Sequence, residues 1–148
     1  MNELDLRIRN RVYASFVGEG NTASPAETAA ALGLAEDEVA AAYRRLHDAH
    51  ALVLHPGSME IRMLNPFSAV ETPHRVGAGG RSWFANCAWD ALGIPAALHT
   101  DGAVESTCAD CGEPLQLEVR DGTLVRGREL LVHFVVPARR WWDDIAFT

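Results

Sequence analysis

Cys87 and Asp90 are the residues whose types and spacing most directly indicate chemistry. Residues 83–92 predict a short helix that ends at Gly93 and Pro95, and side chains three positions apart lie on one helix face. The Cys87 thiol and the Asp90 carboxyl can therefore reach the same ligand. A thiolate binds soft metal ions, and a carboxylic acid with a raised pKa donates a proton. A helical cysteine is also often a buried, unreactive side chain, so both interpretations stay open here.

Cys108 and Cys111 form a C-x-x-C motif on a predicted turn. Zinc sites with four ligands generally need two such pairs or added histidines, so a full site would have to recruit Cys87 with His99 or His133. The motif also fits a redox pair or two unrelated reduced thiols, although no strand-then-helix context favours redox catalysis. We keep Cys87, Cys108 and Cys111 as candidate metal ligands, and we interpret the scattered histidines as surface residues.

The chain that carries these thiols has 148 residues, of which 48% are hydrophobic, and a net charge of −7. The acidic balance disfavours non-specific binding to nucleic acid or to an anionic membrane. All 13 basic residues are arginine, which excludes a Schiff-base or P-loop lysine and is typical of a GC-rich genome. No run of apolar residues approaches the length of a membrane span. The sequence does not open with the charged-then-apolar pattern of a secretory leader, and three cysteines cannot all pair with one another, so we expect a cytoplasmic protein with reduced thiols.

Residues 1–64 predict a winged helix-turn-helix module. Apolar spacing indicates a helix over 4–17, and Ser24-Pro25-Ala26-Glu27 is a capping box that begins a second helix ending near Gly33. A third helix begins at Glu36, and residues 52–64 follow as strand, turn and strand. Three carboxylates at residues 36–38 would repel DNA from the leading end of a recognition helix, so we expect a packing or lid module rather than a nucleic-acid partner.

The remaining chain predicts a linker and a second domain. Residues 65–80 are rich in proline and glycine and are interpreted as the linker. Residues 81–148 combine the helix at 83–92 with strand-like runs at 103–107, 115–120 and 130–136. The fold class that we predict is α+β.

The segment around Cys87 resembles the alkylmercury (organomercurial) lyase family. The similarity is carried by Asn65-Pro66-Phe67-Ser68, by the run Trp83–Leu98 that contains Cys87-Ala88-Trp89-Asp90, by Ser106-Thr107-Cys108 and by Gly112-Glu113-Pro114-Leu115. The resemblance implies protonolysis of carbon–mercury bonds without a cofactor, with a small organomercury compound and small thiols as partners. It implies that Cys87 is a mercury-binding thiolate, that Asp90 is the proton donor and that Cys108 is structural.

The family pattern contains a second catalytic cysteine after a segment like 131–137. The sequence printed here reaches Thr148 at or just before that position, so we expect capture of organomercury with poor turnover. Two alternatives remain. One is a member of the same fold that acts on another small substrate or binds metal through its thiols. The other is a winged-helix regulator that senses a thiophilic ligand.

Overall fold

The computed structural model describes residues 1–145, and the chain divides into two units, 1–70 and 71–148. The first unit contains three helices and three short antiparallel strands in the order β1-β2-β3. Their bounds are α1 Glu3–Glu19, α2 Pro25–Leu32, α3 Glu36–Asp48, β1 Val53–Leu54, β2 Ile61–Leu64 and β3 Phe67–Ser68.

The helix boundaries of the first unit follow from capping. The predicted capping box is confirmed: the Ser24 side chain accepts from the backbone of Glu27, whose carboxylate accepts from the Ser24 backbone. Gly33 ends α2 in the left-handed conformation, as the sequence indicates. Helix α1 is longer than predicted, because Gly18 remains helical and Gly20 provides the cap.

The core of the first unit is apolar, with two embedded polar contacts. Buried apolar side chains from every helix and strand contribute to it, including Ile8, Val12, Val39, Leu46, Leu52, Leu64 and Phe67. The Tyr43 hydroxyl lies 2.8 Å from that of Thr28 and donates to the Ala23 carbonyl, so its polar end is satisfied inside the core. The Asp5 side chain is buried and accepts from the Arg45 guanidinium at 2.6 Å.

The second unit is one helix packed on an antiparallel sheet. Its strands run in the order β5-β4-β6-β7-β8, with every neighbouring pair antiparallel. The bounds are β4 Arg75–Ala78, β5 Arg81–Ala85, α4 Ala88–Leu98, β6 Gly102–Thr107, β7 Pro114–Arg120 and β8 Thr123–Arg126, followed by a 3-10 helix at Ala138–Asp143.

Helix α4 lies close to the sheet because Gly102 lacks a side chain. A Cβ atom at Gly102 would lie 2.5 Å from Cγ of Pro95, far inside ordinary contact distance. Around this point the helix buries Ala91 and Ile94, and the sheet buries Val76 and Val104. The proline that the sequence suggested as a helix end is therefore inside the helix, at the contact between helix and sheet.

Three predictions about the second half of the chain are wrong in detail. The helix predicted over 83–92 begins only at Ala88, because residues 81–85 form β5. The segment 65–80, predicted as a linker, contains β3 and β4. Gly79 and Gly80 both have positive φ, as a two-residue hairpin turn of type I′ requires, and this turn joins β4 to β5. Residues 130–136 form no strand, and the last strand of the sheet is β8.

No helix within residues 1–145 combines the length and the apolar character that crossing a membrane would need.

Candidate thiol and carboxylate site

Cys87 lies at the junction between β5 and α4, where it caps the helix. Its backbone is extended, with φ −150° and ψ 177°, and its carbonyl accepts the first helical hydrogen bond, from Ala91 at 3.0 Å. Its Sγ atom accepts from the backbone N–H of Asp90 at 3.5 Å. Cys87 and Asp90 are thus brought together, but as a cap residue and a first-turn residue rather than as two positions on one helix face.

Asp90 occupies the first turn of α4, with its carboxyl group half-buried. Its Oδ2 atom accepts from Nδ2 of Asn86 at 3.2 Å. Burial raises the pKa of the Asp90 carboxyl above its usual range, and hydrogen bonds from Asn86 and from the Cys87 thiol oppose part of this increase. Asp90 therefore holds a proton more readily than an exposed aspartate.

The thiol itself is also shifted toward its protonated form. Burial raises the pKa of Cys87, and the nearby Asp90 charge raises it further, while the backbone N–H groups of Asp90 and Trp89 act in the opposite direction. The thiol donates to the carboxylate, so a proton that leaves sulfur has an acceptor already in contact. This arrangement suits a reaction in which a soft metal replaces the thiol proton and a carboxylic acid then protonates a leaving group.

An aromatic cluster joins the first turn of α4 to residues that follow β8. Trp89, between the two functional residues in sequence, is 59% exposed and packs edge-on against Phe134 at a ring distance of 6.5 Å. Phe134 in turn contacts Trp141 at 4.9 Å, and the Trp141 indole N–H donates to the Val136 carbonyl. The first turn of α4 is therefore in contact with the segment that leads into the 3-10 helix.

Two residues near the pair were not singled out by the sequence. Asn86 donates to the Asp90 carboxylate. The feature of the sequence that could have indicated this contact is the position of Asn86 four residues before Asp90. His74 was interpreted as a surface residue, but it is half-buried and its Nδ1 atom lies 2.8 Å from the Ser106 hydroxyl. Its carbonyl accepts from Ala85, at the end of the strand that leads to Cys87, and burial lowers the pKa of its imidazole.

Cys108 and Cys111 lie together on the turn between β6 and β7. The Cys108 N–H donates to the Glu113 carbonyl, and the Gly112 N–H donates to the Cys108 carbonyl, both at 2.9 Å. Within residues 1–145 no three histidine, cysteine or acidic side chains form a group that could hold a metal ion. The described residues therefore do not gather Cys87, Cys108 and Cys111 into one cluster, nor do they add His99 or His133 to the C-x-x-C pair.

Comparison with known proteins supports the resemblance found in the sequence. The chain matches a solved structure described as the mercury-bound form of MerB2, with a TM-score of 0.71 and 24% identity over 85% of this chain, and it spans 60% of that protein's length. This similarity establishes the shared fold. No curated protein matches significantly. The MerB family model, described as alkylmercury lyase, matches residues 67–148, which is more than half of the sequence. The chain therefore belongs to the alkylmercury lyase family.

Proposed function

We propose that this protein captures organomercury compounds through Cys87 and cleaves their carbon–mercury bond with Asp90 as proton donor. The observation that carries the proposal is the pairing of Cys87 and Asp90 at the beginning of α4. The backbone N–H of Asp90 donates to the Cys87 sulfur, and the thiol interacts with the Asp90 carboxyl. Soft Hg²⁺ prefers thiolate, and a carbanion-like leaving group needs a proton as its bond to mercury breaks.

The proposed reaction has two steps. In capture, the organomercury compound arrives with a small thiolate on mercury. The S–H bond of Cys87 and the bond from mercury to that thiolate break, a bond from the Cys87 sulfur to mercury forms, the small thiolate leaves, and the proton passes to the Asp90 carboxylate. In cleavage, the electron pair of the carbon–mercury bond takes up the Asp90 proton to form a C–H bond, and the hydrocarbon leaves. A small thiolate from solution occupies the mercury coordination position that the carbon vacates, so the ion stays two-coordinate.

The raised pKa values of both groups support this order of events. A thiol with a raised pKa keeps its proton until mercury replaces it, so the proton is delivered to Asp90 at the moment of capture. A carboxyl group with a raised pKa then retains that proton until carbon accepts it. Hydrogen bonding by Asn86 holds the carboxylate in place between these two events.

We also propose that the first unit is a winged-helix module with a packing rather than a DNA-binding role. The three helices and the antiparallel β1–β2 pair support this assignment. The first turn of α3 carries Glu36, Asp37 and Glu38, all of which are solvent-accessible, and these carboxylates oppose docking on phosphates. The three free cysteines suit the reducing cytoplasm, where we expect the protein to act.

The test is hydrocarbon release from an arylmercury compound in the presence of excess small thiol. Asp90→Asn keeps the size of the side chain but removes the acid. We expect it still to bind mercury at Cys87, with the thiol proton passing to water, and to release hydrocarbon about 10²–10⁴-fold more slowly, the usual contribution of a general acid. Cys87→Ser should abolish both mercury capture at this site and hydrocarbon release, since a hydroxyl is a poor ligand for soft metals.

Asp48→Asn is the matched control, because Asp48 is an exposed aspartate at the end of α3. It should leave both measurements unchanged. Hydrocarbon release by Asp90→Asn at the parent's rate would show that another group supplies the proton. Mercury capture without any hydrocarbon release by the parent would instead identify a thiol-based metal-binding protein of this fold.

A further inference from the structure

The turn that carries Cys108 and Cys111 is closed by hydrogen bonds of the Cys108 backbone. It joins the last pair of the β6–β7 ladder, Thr107 with Pro114, and is closed by the two backbone hydrogen bonds of Cys108. Gly112 has φ +75°, which lets the chain reverse directly after Cys111. The two thiols are therefore held on one tight, hydrogen-bonded turn rather than on flexible chain.

The Cys108 sulfur lies against hydrogen-bond donors of its own turn. It accepts from the backbone N–H groups of Cys111 and Asp110 and also interacts with the Cys111 thiol, so the two thiols lie side by side on the turn. The Asp110 and Glu113 side chains are exposed beside the turn and add negative charge around it.

Accessibility and ligand number restrict the kind of ion. Cys111 is exposed and Cys108 is half-exposed, so an ion can reach both sulfur atoms from solvent. The described part of the chain adds no third histidine, cysteine or acidic side chain to this pair. Zinc in structural sites takes four ligands, whereas a pair of thiolates suits a soft ion that needs only two.

We propose that Cys108 and Cys111 form a second site, separate from Cys87 and Asp90, which chelates one soft two-coordinate cation such as Hg²⁺. On binding, two S–H bonds break, two sulfur–mercury bonds form and two protons pass to water, with no change of oxidation state. The site does not depend on cleavage of a carbon–mercury bond. Inorganic Hg²⁺ is therefore the appropriate probe.

The experiment measures how firmly the reduced full-length chain retains Hg²⁺ against a small monothiol, with bound mercury counted by native mass spectrometry. All variants carry Cys87→Ser, so that the first site does not contribute. Linking two ligands commonly strengthens binding by about 10²-fold or more over one. We expect Cys87→Ser alone to hold one Hg²⁺ with loss of two protons. The monothiol concentration that removes half of the metal should fall about 100-fold when Cys108→Ser or Cys111→Ser is added.

Thr107→Ser in the same background is the matched control, since Thr107 is an exposed residue directly before the turn. It should not alter retention. Equal retention with and without Cys111→Ser would overturn the proposal, because a single thiol would then account for binding. Retention of Zn²⁺ as firm as that of Hg²⁺ would also overturn it, since it would require further ligands. Neither result bears on hydrocarbon release at Cys87, and failure of hydrocarbon release would not affect retention of Hg²⁺ here.

Discussion

Replacing Gly102 with alanine tests the close packing of α4 on the sheet. The added Cβ atom would lie 2.5 Å from Cγ and 3.1 Å from Cβ of Pro95, whereas ordinary contacts begin at 3.4 Å. Neither partner is the end of a flexible chain, because the proline ring is fixed in the helix and Gly102 is paired in β6. The helix would have to move away by about 1 Å, and such overpacking typically costs about 1–3 kcal/mol.

Thermal unfolding measures this cost. At roughly 3–4 °C per kcal/mol for a chain of this size, Gly102→Ala should lower Tm by about 3–12 °C. Gly18→Ala is the matched control, because Gly18 lies within α1 and no atom lies within 4 Å of its added Cβ. It should leave Tm unchanged or raise it, since alanine is favoured over glycine in a helix by about 1 kcal/mol. A Tm for Gly102→Ala equal to that of the parent would show that α4 does not lie against β6 as described.

Two further predictions concern the first unit. Ser24→Ala removes the side-chain cap of α2 and should reduce the free energy of unfolding by about 1 kcal/mol in urea titrations. Ser24→Asn is the control, because its side-chain oxygen can also cap the helix, and it should leave the free energy of unfolding nearly unchanged. The Arg45 guanidinium holds the pKa of Asp5 below its usual value of 3.8, so this carboxylate stabilises the fold above pH 3.8 and loses its contribution as the pH falls through its lower, folded-state pKa. Asp5→Asn should therefore lower Tm at pH 7 and reduce the difference in Tm between pH 7 and pH 2. An unchanged difference would show that the ion pair does not contribute to acid sensitivity.

Local sequence signals predicted the boundaries of α2 and the buried face of α3 well, because these features depend on neighbouring residues. Ser24 and Glu27 contact one another within one turn, and Gly33 adopts the left-handed conformation that ends α2. The helical spacing of Val39, Tyr43 and Leu46 likewise describes the buried face of α3. Such features need no information about distant parts of the chain.

The second unit was harder to predict because its elements depend on contacts between distant residues. Residues 83–85 run without a break into the helical segment that follows, and pairing of β5 with β4 is what makes them strand residues. Pro95 is a helix breaker by local rules, yet packing against Gly102 retains it inside α4.

The candidate site shows the same division between local and distant information. The proximity of Cys87 and Asp90 followed from their spacing, although the sequence indicated two helix positions and the structure has a cap and a first turn. The contact of Trp89 with Phe134 joins residues 45 positions apart, and no periodicity relates them. The direction of the Asp90 pKa shift also depends on burial, which the sequence alone did not establish.

Because Cys87 is a helix cap, four consecutive residues are enough to bring the thiol and the carboxyl group together. Two side chains on a helix face can be three or four positions apart, whereas the side chain of a cap residue reaches only the N–H groups of the second and third helical residues. The sulfur is fixed by the N–H of Asp90 and the backbone of Cys87 is extended, so the pair needs only a strand end and the start of a helix. A protein engineer could therefore graft Cys-x-x-Asp onto another exposed helix beginning and obtain the same juxtaposition without the surrounding sheet.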